Sequence, residues 1–183
     1  MVDFVPGRLL VASPNLTDPN FDRSVVYIGI HDKNGAFGLV LNRPLELEVA
    51  EHIQGWESVV SPPACLFKGG PVDTNSVMGL ALPLDSTIEG LTPMVGGAGL
   101  IDLSLSATDV TPRLADLRLF LGYSGWTAGQ LEQELAEEAW FVVEAEHGDL
   151  FTPEPARLWH RVLRRQQGKL AMFAYFPADP SVN

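Results

Sequence analysis

A single cysteine, Cys65, stands in the whole chain. That excludes an internal disulfide framework and a paired-thiol metal site, and it suits a reducing compartment. Long hydrophobic runs are equally scarce, and nothing approaches the ~20 apolar residues that a membrane-spanning helix needs. The start, MVDFVPGRLLVASPNL, has no basic segment and only a short apolar stretch before Ser13 and Pro14, so it reads as neither a secretory leader nor an anchor. Positive charge is the third shortage. With 12 Lys and Arg against 23 Asp and Glu the formal net charge is −11, which repels phosphate backbones and anionic lipid at long range. There is no H-E-x-x-H and no Asp-rich calcium loop, and His31, His52, His147 and His160 lie far apart. No metal, no cofactor and no membrane partner are expected, and the location is read as cytoplasmic.

What the chain does have is enough apolar residue, 46% of 183, to bury a core, which suits one domain over 1–183. Its 17 glycines and 14 prolines predict many tight turns. Charge is unevenly spread. From Thr127 to Phe151 there are seven acids and no Lys or Arg, whereas Arg157, Arg161, Arg164, Arg165 and Lys169 follow one another without an acid.

The runs Arg8–Ala12, Ser24–Ile30 and Ala36–Asn42, bounded by Pro, Asp and Gly, read as strands, the last two joined as a hairpin through His31-Asp32-Lys33-Asn34-Gly35. His31 is then a solvated turn residue. A short helix is expected over Leu45–Gln54, then strands at Ala64–Phe67 and Ser76–Leu82 around a Gly69-Gly70-Pro71 turn. Gly99–Ser106 alternates with period two, as a strand does, and Arg118–Tyr123 is another. Thr127 and Gln130 form a T-x-x-Q capping box ahead of a helix; Trp140–Ala145 is a strand. Thr152 and Pro153 open a basic helix, about 153–167, that Gly168 stops. Hairpins early and irregular alternation later predict α+β rather than a doubly wound parallel sheet.

Five blocks carry a resemblance: VASPNLTDPNFDRSVVYI from Val11, HDKNGAFGLVLNRP from His31, FKGGPV from Phe67, GYSGWTAGQLEQEL from Gly122, and Trp140 with Leu150-Phe151. In this order, over about residues 7 to 151, they resemble the YqgE/AlgH family of small bacterial cytoplasmic proteins. The resemblance implies an α+β fold whose mixed, mostly antiparallel sheet curls into a pseudo-barrel with a few flanking helices. It brings no catalytic residues to carry over. For one member it implies a role in transcriptional control of an exopolysaccharide pathway.

Chemistry-bearing motifs are incomplete. Gly122-Tyr123-Ser124-Gly125-Trp126 would need glycine in place of Trp126 to be a nucleophile elbow. Cys65, before an aliphatic and aromatic pair, reads as a core thiol. Gly96-Gly97-Ala98-Gly99 leads into a strand pattern, so it offers no helix N-terminus to an anion, and Lys68-Gly69-Gly70-Pro71 is likewise a turn.

Two sets of residues remain. Asn42, Arg43, Gly70, Pro71, Tyr123, Trp126, Gln130 and Glu132 compose a candidate binding patch, with Tyr123 and Trp126 as aromatic anchors and Arg43 as the polar one. The structural alternative is Arg43 tied internally to Asp18, Asp22 or Glu132. Arg157, Arg161, Arg164 and Arg165 make a basic stripe opposite Leu158, Trp159, Val162 and Leu163. Such a stripe contacts phosphates or a partner, or it is a solvated face paired with the acidic segment before it. A non-enzymatic binding or regulatory protein with a protein partner is the reading these residues favour. The alternatives are a DNA-contacting regulator using the basic stripe, with a log affinity against log salt slope of about −4 to −5, and an enzyme with Ser124 or Cys65 as nucleophile.

Overall fold

The computed structural model describes residues 4–85 and 88–176. One curled sheet dominates it. Its strands are β1 (Arg8–Ala12), β2 (Val25–Asp32), β3 (Gly35–Val40), β4 (Leu66–Lys68), β5 (Val72–Pro83), β6 (Leu91–Pro93), β7 (Gly99–Ile101), β8 (Leu114–Thr127) and β9 (Trp140–Glu144). The order is β6-β7-β5-β8-β3-β2-β1-β9, antiparallel throughout, with β4 alone running parallel to β8. Four short helices flank it: α1 (Ala107–Val110), α2 (Gln130–Ala136), α3 (Leu158–Arg164) and α4 (Lys169–Phe173). This is the α+β fold that the sequence predicts, a half-barrel in which 14-residue β8 spans both halves. No helix among the described residues is long and apolar enough to cross a membrane.

Both faces of β1 and β2 are covered, which explains their unbroken apolar runs. Leu9, Val11, Val25 and Tyr27 face the main core with Phe67 and Phe120, and that side is sealed by Leu158, Trp159, Val162 and Leu163 of α3. Trp159 adds an indole bond to the Ala12 carbonyl at 3.0 Å. The alternate residues Leu10, Ala12, Val26 and Ile28 pack on the opposite face against Trp126, Trp140 and Leu131 of α2. A third cluster, with Trp56, Leu66, Leu117 and Leu119, fills the other half.

Several sequence expectations are corrected. Leu45–Gln54 holds only a 3₁₀ turn, Val49–Glu51: the Leu45 N–H donates to the Leu66 carbonyl at 2.8 Å. Leu45, Leu47 and Val49, spaced by two, all pack on the Trp56 cluster. Gly99–Ser106 pairs only as far as Ile101, because the Asp102 carboxylate turns the chain by accepting the Ser104 N–H at 2.9 Å and its hydroxyl at 2.7 Å. His31 is no turn residue. It lies buried within β2, where Nδ1 accepts the Val5 N–H at 3.1 Å. The capping box closes on one side only: Gln130 accepts the Thr127 N–H at 3.0 Å, but Thr127 still belongs to β8 and left-handed Gly129 occupies the N-cap. The basic helix starts later than expected, at Leu158 after the 3₁₀ turn Pro155–Arg157. Gly168, at φ +66°, stands at the start of α4.

Tyr27 gives this core an optical reporter. It is 1% exposed, its hydroxyl donates to the Val95 carbonyl, and burial pushes its ionisation up to about 12. It is expected to ionise late, near pH 12, in a 295 nm absorbance titration. Because its folded value is raised above the unfolded 10.0, its contribution to stability is complete below pH 10 and is lost as pH rises through about 12. Tyr27→Phe removes that late step; a late step that persists in the variant refutes the assignment.

Candidate binding site

The first candidate set does not assemble. Tyr123 and Trp126, three residues apart on β8, fall on opposite faces of the sheet by the period-two rule. Tyr123 packs beside Phe37 in the main core, ring centroids 5.2 Å apart. Trp126 is 6% exposed and buried on the other side. Its indole N–H donates to Glu134 Oε2 at 2.8 Å, and the same oxygen takes the Trp140 indole at 2.8 Å. Trp126 is a core tryptophan and offers no face to a partner.

The polar members are tied inward too. Asn42 Oδ1 accepts the Val25 N–H at 2.9 Å and its Nδ2 donates to the Arg23 carbonyl at 2.8 Å. Arg43 donates to the backbone carbonyl of Asp22, so its internal partner is the backbone of that loop. Burial lowers the Arg43 guanidinium from its ordinary value, and the Asp22 charge partly restores it. Gln130 joins Thr127 to Glu134, its Nε2 donating to Oε1 at 3.0 Å. Glu132 Oε1 lies 3.5 Å from His31 Nε2. Gly70 lies flush on β8 beside exposed Pro71.

Neither nucleophile candidate is activated. Ser124 is wholly buried in mid-strand and donates to the Gly69 carbonyl at 3.1 Å. Burial raises the Cys65 thiol above its ordinary value. Among the described residues no three His, Cys, Asp or Glu side chains gather as metal ligands.

The basic stripe does assemble. Arg157, His160, Arg161, Arg164 and Arg165, with Glu154, line an open groove of about 750 Å³. A buried carboxylate holds one of these arginines: Arg165 donates to Asp149 Oδ1 at 2.8 Å and Oδ2 at 2.6 Å and to the Glu144 carbonyl at 2.8 Å. Arg161 reaches Thr152 Oγ1 at 3.0 Å and Asp149 at 3.5 Å. These two arginines are thus paired with the acidic segment. Arg157, far more exposed, sits 3.3 Å from Glu154, and Arg164 lies 5.7 Å from the Tyr175 ring. Met172 of α4, and Tyr175 and Phe176 just after it, stand exposed, Tyr175 against Arg164.

Two members of this neighbourhood are absent from the sequence reading. His160 was legible, being three residues after Arg157 and four before Arg164 on the same stripe. Arg23 was not, because only the fold carries it from the loop before β2 to within 3.4 Å of His160.

The sequence profile of the AlgH-like family, DUF179, matches residues 9–171 and so takes in α3 with its arginines. A UPF0301 protein of Streptomyces avermitilis is 46% identical over 187 residues, covering 100% of this chain and 97% of that one. A UPF0301 protein of Mycobacteroides abscessus is 38% identical, covering 97% and 87%. Among solved structures, a crystal structure from Corynebacterium diphtheriae superposes with a TM-score of 0.88 at 31% identity, over 96% of this chain and 94% of that one. The solution structure of the AlgH protein from Pseudomonas aeruginosa gives 0.69 at 30% identity, over 93% of each. With motifs, fold and match along nearly its whole length in agreement, this chain belongs to the AlgH-like family.

Proposed function

We propose that the chain is a non-enzymatic binding protein that acts on a protein partner through the groove of α3. The observation that supports this most is the groove itself: Arg157 and Arg164 are exposed on its wall, and exposed Tyr175 lies against Arg164. Arginine and large apolar or aromatic side chains at a partly desolvated surface are what interface centres favour. The unactivated state of Ser124 and Cys65 fits the same reading. A regulatory role linked to transcription then runs through the partner. Direct DNA contact draws less support, since Asp149 already holds Arg161 and Arg165, and the net charge is −11.

Charge reversal at the two arginines not held by Asp149 tests this. Neither Arg157 nor Arg164 supports the core, so Arg157→Glu/Arg164→Glu is expected to fold with stability within about 0.5 kcal/mol of wild type. In nuclease-treated co-purification from a native lysate, a partner retained by wild type should fall at least about tenfold with the variant, one decade being about 1.4 kcal/mol. An identical set of retained proteins for both overturns the groove as the docking site.

A further inference from the structure

Within the groove the imidazole of His160 stands beside a guanidinium that disfavours its charged form. His160 Nε2 lies 3.4 Å from Arg23 Nη1, and a guanidinium carries only donors, so the nitrogen facing it must be the acceptor. That contact calls for the neutral ring with its proton on Nδ1. The charged groups around it are Arg23 from the loop before β2, Glu154 and Arg157 from the turn before α3, Arg161 and Arg164 of α3, and Arg165 at its C-terminal cap. Arg23 is held in place by its bond to the Phe176 carbonyl at 2.8 Å and its seat over the Trp159 ring. Burial, then Arg23 and Arg164, lower the His160 value from its ordinary one. An anion entering the groove would reverse the sign of this field.

The stripe also has a length. Arg157, Arg161 and Arg164 are spaced over seven residues, about 10 Å along a helix at 1.5 Å per residue. An extended acidic chain, with alternate side chains about 6.6 Å apart, can run along them. Resting on the docking reading above, we propose that the groove takes an acidic peptide segment of the partner, and that its binding is coupled to proton uptake by His160. By linkage, the occupant favours the imidazolium and the imidazolium favours the occupant. Affinity therefore tightens as pH falls from the His160 value of the bound state to that of the free protein, and is independent of pH above and below that interval.

The probe is hexa-aspartate carrying a rhodamine label, followed by fluorescence anisotropy at pH 8.0 and 5.5 at one ionic strength. Aspartate carboxylates, near 3.9, stay ionised at both. Wild type is expected to bind at least about fivefold tighter at pH 5.5, the low end of usual coupling, and His160→Gln to show no such change. Wild-type binding that ignores pH, or a pH effect that survives in His160→Gln, overturns the coupling and leaves the docking reading standing. No binding at either pH, or binding unchanged in Arg157→Ala/Arg164→Ala, overturns the acidic occupant of this groove, while the docking reading falls only if Arg157→Glu/Arg164→Glu retains the same proteins as wild type. A single-stranded oligonucleotide that binds more tightly than the peptide overturns the choice of occupant.

Discussion

Gly70→Ala is expected to destabilise the fold by at least about 3 kcal/mol, because the added methyl has nowhere to go. A Cβ there would sit 2.2 Å from both the carbonyl carbon and the oxygen of Tyr123, and 2.4 Å from the Ser124 nitrogen. All three atoms are backbone of β8, so no rotamer change relieves the contact. The neighbouring Gly69 is pressed as closely, with its Cβ position 2.2 Å from the Gly122 carbonyl. The pair also carries hydrogen bonds that join strands: Gly69 N–H donates to Leu121, while its carbonyl accepts from the Val40 N–H and the Ser124 hydroxyl. Moving it away would part β3 from β8 at the centre of the sheet. Gly148→Ala, where a Cβ meets nothing within 4 Å, is the control and should stay within about 0.5 kcal/mol of wild type. Urea midpoints of the three proteins decide the matter. Equal midpoints for the two variants would show that Gly70 is not packed against β8, and would reopen its reading as a ligand-contacting glycine.

This glycine shows how the sequence was and was not legible. Strands β1, β2, β3, β8 and β9 could be placed because alternation and turn residues are local signals. The Asn34-Gly35 turn was read in the same way, and its Asp32 carboxylate accepts the Asn34 N–H at 2.7 Å. The Leu45–Gln54 segment misled because its apolar residues fit either period over so short a run; its neighbour Leu66, 21 residues on, decided for extended chain. GYSGWTAGQ looked like a surface device because glycine, aromatic and amide residues at a turn are common at binding sites. What settles it is parity along β8 together with the partner of each side chain. Trp126 finds Glu134 and Trp140, and Tyr123 finds Phe37. None of those pairings is visible from spacing alone. The basic stripe was legible because 3.6-residue periodicity fixes a helix face without tertiary information. That Asp149 would hold two of its arginines depended on the turn before α3.

Replacing Arg118 by methionine is expected to cost about 2–4 kcal/mol at pH 7, as the arginine bonds of a buried site are lost and their acceptors are left bare. In the sequence Arg118 was only the first residue of a strand. Its position two before Phe120 places it on the inward face, and it is 0% exposed. The guanidinium lies 4.4 Å over the Phe67 ring and donates to the carbonyls of Pro62 at 2.7 Å, Thr152 at 2.9 Å and Leu150 at 3.2 Å. It thereby ties β8 to the loop before β4 and to the turn that launches α3. Methionine keeps much of the stem and its packing, so the loss isolates the donors. Arg118→Lys is expected to fail as well, since one ammonium cannot reproduce a planar fork aimed at three carbonyls. The sign of the pH effect separates this account from simple packing. Burial lowers the Arg118 value from its ordinary range to about 10, so above pH 10 the folded state gives up its proton before the unfolded chain does. Stability from this group therefore rises as pH climbs above about 10. From pH 9 to 11 wild type should gain about 1 kcal/mol on Arg118→Met. Urea denaturation of both proteins across that range reads the difference directly. A gap at pH 7 below about 1 kcal/mol, on the scale of a single ordinary hydrogen bond, would mean that the three carbonyls find other donors, and a gap that stays constant from pH 9 to 11 would mean that the three carbonyls hold the guanidinium charged in the fold despite its burial.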